Sequence, residues 1–405
     1  MIATLHILAG EYPPQHGGVS DYTEQLAQGL AEQGAAVHVW SPGSTSAGEE
    51  PESKSGPRIH RIADAFAPAS LWALGRSLNR FTRPRTLLVQ YAPNAFGLRG
   101  LNVFFCLWLV WRGVVCGDDV RVMFHEPFYY FARDQKLRLN FLALVHRLMA
   151  MLLLGAGRTV YVSTPAWENL LRPYSILRDT SFIWLPVPAT IPFTDDSEAV
   201  VAIRQTIQRG STGHPFIVGH FGTYSELIRP TLSEVLLQIL HQRPSVYFLC
   251  LGQNAELFAD TLRQQHPEFS NRLVARGYLN SRDLSCHLQA CDLFVQPYFD
   301  GATARRTSLM ALLHNGRPVV SNIGQYTEPV WKTSTALALA SRCDAPEIAH
   351  LALRLMEEEA RLPSFAIEAK GFYAQHFCID RTINILLEED VPTVVDKNGA
   401  HAEAR

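Results

Sequence analysis

The sequence has no surplus of positive charge. Its 36 lysines and arginines are balanced by 38 aspartates and glutamates, which gives a formal net charge of -2 at pH 7 over 405 residues. Binding to nucleic acid through counterion release needs a large basic surplus, so the composition excludes a nucleic-acid scaffold. Any anion that the protein binds must therefore be held by a local cluster of cations.

Patterned cysteines and a secretion signal are also lacking. The seven cysteines, at positions 106, 116, 250, 286, 291, 343 and 378, form neither a CxxC pair nor a zinc motif, and their number is odd. We expect reduced, buried thiols in a cytoplasmic protein without a metal centre. The first residues, MIATLHILAGEY, have no charged start and no cleavage site, and their pattern favours a buried strand.

Apolar runs that could cross a bilayer are scarce. LNVFFCLWLVW at 101–111 is too short for a hydrocarbon core of about 30 Å. LNFLALVHRLMAMLLLGAG at 139–157 carries His146 and Arg147 in its middle, which lipid would disfavour. We interpret both as core helices. Peripheral contact with the inner face of a membrane stays open as the alternative.

The sequence does contain strand-like apolar runs that alternate with helix-like patterns. The runs lie at 3–10, 35–42, 86–93, 119–127 and 158–164 in the first half, and at 216–222, 245–252, 272–279, 291–299 and 317–322 in the second. Such alternation is typical of parallel βαβ units, and the length fits two domains.

We therefore predict an α/β protein with a first domain over 1–190 and a second over 191–370, joined by the proline-rich stretch 186–195. A helix over 371–388 is expected to pack back on the first domain. The remaining residues, 389–405, have little to bury and are expected to form a mobile tail.

Three motifs follow predicted strands, where ligands collect in open parallel sheets. In EYPPQHGGVSDY, Gly17 and Gly18 precede a helix whose unpaired N–H groups favour an anion or a sugar hydroxyl. The alternative is a tight turn that needs a positive φ. A weaker site is Gly222 and Thr223 in GHFGTYSELIRP, where the backbone could approach phosphate or form a plain turn.

The second motif is MFHEPF, with His125 directly after a strand. Its imidazole could donate a hydrogen bond to a reacting group, or it could simply bond to a neighbouring loop. The aromatic run EPFYYF at 126–131 could stack on a saccharide, but for Phe128 and Phe131 we favour the core.

The third motif is YFDGATARRTSLMALLH, which places Asp300, Arg305 and Arg306 ahead of a helix. Planar guanidinium groups and a helix amino terminus together suit a diphosphate without a metal. The alternative is that both arginines are solvated surface residues with Asp300 as their ion-pair partner.

The order of these parts resembles the retaining glycosyltransferases of family four. It runs from YPPQHGGVSDYTEQLAQGLAEQG through HEP and VGHFG to GYLNSRDLSCHLQACDLFVQPYFD and NGRPVV, over roughly 5–330. The resemblance implies the GT-B fold, with two Rossmann-like domains facing a central cleft. It also implies a UDP- or GDP-linked nucleotide sugar bound mainly by the second domain, and no other cofactor. The acceptor, a saccharide, a lipid-linked molecule or a small molecule, would bind mainly to the first domain, in polysaccharide or glycoconjugate biosynthesis.

The sequence departs from that family at the acidic motif. The family has two glutamates eight positions apart, and their places are taken by Asp300 and Ser308. The resemblance implies that Asp300 accepts hydrogen bonds from hydroxyls of the donor sugar, and that Ser308 lies where the family's second glutamate binds the nucleotide ribose. His220 stands where the family commonly has an arginine, and Arg229 is the nearest counterpart of its lysine. We expect Arg305 and Arg306 to take over the diphosphate.

The remaining assignments also follow from the resemblance. Gly17 and Gly18 match the family's glycine loop, and His125 matches the histidine near the transferred sugar, so His125 and Asp300 are the expected catalytic residues. Tyr278 and Leu279 match the stretch that meets the base. Two rivals stay open: a sugar-binding protein of the same shape without transfer activity, and a nucleotide-sugar epimerase.

Overall fold

The structure is a computed structural model that describes residues 4–15, 17–43, 56–133, 135–207 and 215–388. The tail that we predicted at 389–405 lies outside the described residues. The same is true of positions 44–55 in the polar segment after the second strand.

The first domain is built on a parallel sheet of seven strands. They are β1 (Thr4–Ala9), β2 (Ala36–Pro42), β3 (Arg58–Ile62), β4 (Thr86–Tyr91), β5 (Asp119–Phe124), β6 (Thr159–Val162) and β7 (Ser181–Trp184). Their order is β3-β2-β1-β4-β5-β6-β7, so the direction of winding reverses between β1 and β4.

Helices cover both faces of this sheet. They are α1 (Gly18–Glu32), α2 (Pro68–Leu78), α3 (Val103–Val114), α4 (Leu137–Ala156) and α5 (Pro165–Leu171). On one face α1 packs on Ile7 and Val37, and on the other α3 and α4 pack on Val89 and Val122. Both apolar stretches therefore lie in helices whose inner sides belong to the core, as the short length of the first and the polar residues within the second predict.

The second domain repeats the plan with six parallel strands. They are β8 (Phe216–Phe221), β9 (Val246–Leu251), β10 (Leu273–Arg276), β11 (Leu293–Val295), β12 (Val319–Asn322) and β13 (Ala338–Ala340). Their order is β10-β9-β8-β11-β12-β13, with the reversal between β8 and β11. Ligands of open α/β sheets bind outside such reversals, which draws attention to the loops after β1, β4, β8 and β11.

The helices of the second half complete the fold. They are α6 (Ser197–Ile207), α7 (Arg229–Gln242), α8 (Ala255–Gln265), α9 (Ser281–Gln289), α10 (Thr307–His314), α11 (Pro329–Lys332), α12 (Ala345–Glu357), α13 (Leu362–His376) and α14 (Ile379–Glu388). Helix α14 packs on the first domain. Its residues Ile383 and Leu386 join the core of that domain beside Leu26 and Leu30 of α1.

A close contact fixes α14 on α1. A Cβ added to Gly29 would lie 2.4 Å from Cδ1 of Ile383, so a larger residue at position 29 would force the isoleucine side chain to move. After the second domain, the chain thus returns to the first through α14.

Candidate active site

A cleft of about 1370 Å³ is lined by residues of both domains. Ligand pockets typically measure about 300 to 1,000 Å³, so this one has room for a ligand as large as a nucleotide sugar together with a second molecule. Nine residues that we named from the sequence as donor-binding line it: Gly17, Gly18, Gly222, Thr223, Tyr278, Leu279, Arg305, Arg306 and Ser308. The two expected catalytic residues, His125 and Asp300, are not among the lining residues.

The loop after β11 places both arginines at the start of α10, with Arg306 as its N-cap. The loop turns at Gly301, whose φ of +93° favours glycine and whose added Cβ would lie 2.3 Å from the backbone N of Gly324. Its backbone is also tied by Glu328, a buried carboxylate that accepts from Ala304 N–H at 3.1 Å and from Trp331 Nε1 at 2.8 Å. Burial raises the pKa of Glu328.

Asp300 lies behind the arginines and forms an ion pair with each of them. The aspartate is 3% exposed, whereas the side chains of Arg305 and Arg306 are 17% and 20% exposed. The alternative interpretation, that both arginines are solvated surface residues, is therefore wrong, although the ion pairs with Asp300 that belonged to it are present. Two cations and one anion leave this cluster of three side chains with a net positive charge, and the amino terminus of α10 adds to it.

Aromatic rings hold the two guanidinium groups in place. The guanidinium carbon of Arg305 lies 5.2 Å from the ring centre of Trp167, and that of Arg306 lies 4.8 Å from the ring of Tyr298. Such contacts favour a cation over a ring face. In each arginine the buried Nε has no hydrogen-bond partner within the described chain.

The amino terminus of α1 faces that of α10 across the cleft. A Cβ on Gly18 would lie 4.0 Å from Cγ2 of Thr307, which is the nearest atom. Gly17 has a φ of 175°, which is extended backbone, so the explanation by a positive φ is wrong. A Cβ on Gly17 would instead lie 2.6 Å from a carboxylate oxygen of Glu11, which accepts from Ser20 N at 3.2 Å.

His125 is buried one layer behind the cleft, with 8% exposure. Its Nε2 lies 2.8 Å from Oε1 of Gln90, and the ring of Tyr22 packs edge-on against it at 5.0 Å. Burial lowers its pKa to about 3, so the imidazole is neutral. Its carbonyl oxygen accepts a hydrogen bond from Trp167 Nε1 at 2.9 Å, which links the His125 loop to the ring beside Arg305.

His220 lines the cleft where the family commonly has an arginine. Its Nδ1 donates to the carbonyl oxygen of Val295 at 2.8 Å, and burial lowers its pKa to about 4. The ring is therefore neutral, with Nε2 as an acceptor on the side of Gly222, so it is not a fixed cation. Arg229 does not replace that cation, because it is paired with Glu226 at 3.6 Å on the surface and does not line the cleft.

Ser308 lies on the first turn of α10, and its hydroxyl is 3.0 Å from the hydroxyl of Tyr298. Tyr278 and Leu279 lie at the far end of the cleft after β10, and Tyr278 is largely exposed. Within the described ranges, no group of three or more histidine, cysteine or acidic side chains is arranged to hold a metal ion.

Aromatic contacts that the sequence did not predict connect the two domains. Tyr130, after β5, places its hydroxyl 2.5 Å from that of Tyr326, and Trp167 packs edge-on against Tyr326 at 5.4 Å. Sequence spacing carries no sign of these contacts, since each partner comes from a different domain. Phe128 is buried as expected, but Phe131 is exposed, so the core assignment of Phe131 is wrong.

Two parallel sheets with a shared cleft define the architecture as the GT-B fold. Sucrose-phosphate synthase from Thermosynechococcus elongatus superposes with a TM-score of 0.70 at 15% identity, covering 96% of this chain and 98% of that chain. Anabaena HepE, in complex with UDP and glucose, gives 0.66 at 14% identity over 97% and 100%. A glycosyltransferase from Rickettsia africae gives 0.69 at 13% identity over 96% and 97%.

Part of the sequence also matches a known protein family. Residues 16–186 match the sequence model of Glycosyltransferase Family 4. A search among curated proteins found no match. The chain is therefore a GT-B-fold protein whose first domain matches Glycosyltransferase Family 4.

Proposed function

We propose that the protein transfers a glycosyl group from a UDP- or GDP-linked sugar to a hydroxyl group of an acceptor, with retention of the anomeric configuration and without a metal ion. The observation that carries this proposal is the pair of guanidinium groups, Arg305 and Arg306, lining the interdomain cleft at the amino terminus of α10. The family match of the first domain and the fold support the reaction class.

The diphosphate of the donor binds between the two helix amino termini. Arg305 and Arg306 donate to its oxygens from one side, and the amino terminus of α1, at Gly18, approaches from the other. As the bond from the anomeric carbon to the phosphate oxygen breaks, negative charge grows on that oxygen. Cations and dipoles already fixed there stabilise it without reorganisation.

Asp300 positions the arginines in this scheme. It is buried behind them and paired with both, so its carboxylate orients the two planar groups towards the cleft. The expected direct contact of Asp300 with the sugar stays a prediction that needs the pairs to open. His125 likewise acts through its surroundings, because its carbonyl oxygen holds Trp167, which packs on Arg305.

The acceptor hydroxyl attacks the anomeric carbon on the face from which the diphosphate departs. Its oxygen forms the new glycosidic bond, and its proton passes to the departing phosphate oxygen, so no separate strong base is required. The neutral His125 and His220 fit this scheme, since neither can supply a charge near neutral pH.

The nucleoside extends along the second domain past Gly222 and Thr223 towards Tyr278 and Leu279. Ser308 offers a hydroxyl, shared with Tyr298, where the family has a carboxylate for the ribose. A UDP-linked sugar is the first donor to test, because Anabaena HepE of the same fold was solved with UDP-glucose.

The test is a calorimetric titration with UDP, GDP and their glucose conjugates, followed by product analysis with and without candidate saccharide acceptors. We expect tight binding of one nucleotide and acceptor-dependent release of the nucleoside diphosphate. Donor binding without hydrolysis or transfer would favour the sugar-binding protein. A changed sugar in the absence of an acceptor would favour the epimerase.

A further inference from the structure

The outer sides of α3 and α4 are apolar and uncovered by other described residues. Large exposed side chains follow one stripe on each helix: Phe104, Leu107, Trp111 and Val114 on α3, and Leu137, Phe141, Leu144 and Leu148 on α4. Spacings of three and four residues keep each set on one side of its helix. The opposite sides are buried in the core, through Phe105 and Leu109 of α3 and Met149 and Leu153 of α4.

The two stripes form one surface. Helix α3 connects β4 to β5 and helix α4 connects β5 to β6, so both lie on the same face of the sheet and pack side by side. Their solvent-facing sides therefore adjoin. We call the eight exposed residues the apolar face. Contiguous exposed apolar surface of this kind marks an interaction site in a soluble domain.

The segments that carry the apolar face contain cations but no acids. From 65 to 117 and from 135 to 167 the sequence contains no aspartate or glutamate, although the whole chain is slightly acidic. Exposed cations occur in both segments, namely Arg76, Arg80, Arg99, Lys136 and Arg138, and Lys136 and Arg138 flank Leu137 of the face. Apolar and aromatic side chains accompanied by cations match a bilayer surface that contains anionic lipid.

We propose that the apolar face is a peripheral binding site for anionic membrane lipid. A second copy of the chain fits less well, because the cations of these segments would meet the same cations of the other copy, and the segments contain no acid to pair with them. A spanning segment is also disfavoured. Helix α4 has the length and apolar character of a membrane span, but its inner side belongs to the core of the first domain.

The experiment is co-sedimentation of the purified full-length protein with phosphatidylcholine vesicles, with and without phosphatidylglycerol. We expect stronger binding with phosphatidylglycerol, weakening as salt is raised. The double variant Leu107→Gln and Leu144→Gln should reduce binding by at least about tenfold, because two leucines no longer enter the bilayer. The double variant Lys136→Gln and Arg138→Gln should bind the anionic vesicles about fivefold more weakly for each charge removed, and should bind the phosphatidylcholine vesicles as before.

The matched control is Leu257→Gln with Ile367→Gln, which changes two equally exposed apolar residues of α8 and α13 in the second domain. It should bind vesicles as the unchanged protein does. Thermal unfolding of each variant checks the fold, since exposed positions should leave it unchanged.

Two results would overturn the proposal. One is equal binding to both vesicle types by all variants, or no binding at all. The other is a dimer in sedimentation velocity without lipid that the Leu107 and Leu144 changes convert to a monomer, with vesicle binding unaffected. The vesicle assay contains no nucleotide sugar, so a negative result in it does not affect the proposed glycosyl transfer. A negative result in the transfer assay likewise does not affect vesicle binding.

Discussion

At the residue scale, the central arrangement is a buried carboxylate shared by two arginines. Asp300 keeps one partner if a single arginine is replaced, so single variants separate function from folding better than the double variant does. Removing both partners would leave a buried charge uncompensated, which is strongly destabilising.

We expect Arg305→Ala to lower kcat/KM for the nucleotide sugar by roughly 10²-fold, as loss of one charge-stabilising donor does. The free energy of unfolding should fall by about 1–3 kcal/mol, because Asp300 loses one charged partner. The measurements are donor kinetics and urea unfolding. The Arg305→Lys variant keeps the cation but not the planar guanidinium group, so its kcat/KM should lie between those of the Arg305→Ala variant and the unchanged protein.

The control for this change is Arg342→Ala. Arg342 is an exposed arginine of the same domain, 3.7 Å from Asp344, and such surface pairs contribute little. Its kinetics and stability should match the unchanged protein. Equal kinetics for the Arg305→Ala and Arg342→Ala variants would remove the role of Arg305 in donor use.

Two buried histidines give the protein an acid-sensitive stability. Burial lowers the pKa of His125 to about 3 and that of His220 to about 4, below the ordinary value of 6.5. Between these values the unfolded chain takes up protons that the folded chain does not, so stability is complete above about pH 6.5 and falls as the pH drops. The slope should reach about 1.4 kcal/mol per pH unit for each histidine.

Replacing His220 by glutamine should remove its share of that slope. Urea unfolding of the His220→Gln variant at several pH values between 4 and 7 tests this, with the exposed His350→Gln as the control. An unchanged slope in the His220→Gln variant would mean that His220 takes up its proton in the folded state as well.

At the scale of elements, the meeting of α1 and α10 is the feature on which the proposed donor binding depends. A methyl group at Gly18 meets nothing closer than Cγ2 of Thr307 at 4.0 Å, so the folded protein accepts it, but it would point into the cleft. The effect of this substitution therefore reports on the ligand.

We expect Gly18→Ala to leave the unfolding temperature unchanged or slightly raised, since alanine favours a helix by about 1 kcal/mol over glycine. The KM for the donor should rise at least about tenfold through crowding of the diphosphate. Gly371→Ala is the matched control, because Gly371 is also helical and its added Cβ meets nothing within 4 Å. If donor KM is the same in both variants, the diphosphate does not approach α1.

The strands that the sequence pattern missed share one property. β3, β7 and β13 are all edge strands, and β3 reads Arg-Ile-His-Arg-Ile, with little apolar character. An edge strand is covered on fewer sides than an interior one, so it needs a shorter and less continuous apolar run. Interior strands such as β4, buried along its whole length, produce the runs that a sequence pattern detects.

The sequence was enough to predict which loops meet at the candidate site, but not which of their side chains face the cleft. Placement after parallel strands was enough to bring Gly18, Gly222 and Arg306 to one cleft, because strand ends meet at one edge of a sheet. Which side chains face the cleft depends on contacts between distant residues. The burial of His125 against Gln90 and of Asp300 behind its arginines is of this kind.

At the scale of the whole molecule, α14 attaches the chain that leaves the second domain to α1 of the first. Ile383 of α14 fills the space over Gly29, so we expect Ile383→Ala to lower the free energy of unfolding of the first domain by about 2–5 kcal/mol. Hydrogen exchange of β1 and β2 should report the loss, while β8 and β9 stay protected. Ile367→Ala, at an exposed position of α13, is the control and should change neither.

The return of α14 also has a practical consequence for dissecting the molecule. Cutting the polypeptide once, in the linker after β7, would leave the amino-terminal fragment with an exposed groove beside Gly29. The carboxyl-terminal fragment would keep α14 with its apolar side exposed to solvent. Splicing α14 onto the amino-terminal fragment, by circular permutation or a short tether, is the way to obtain each half as a self-sufficient protein.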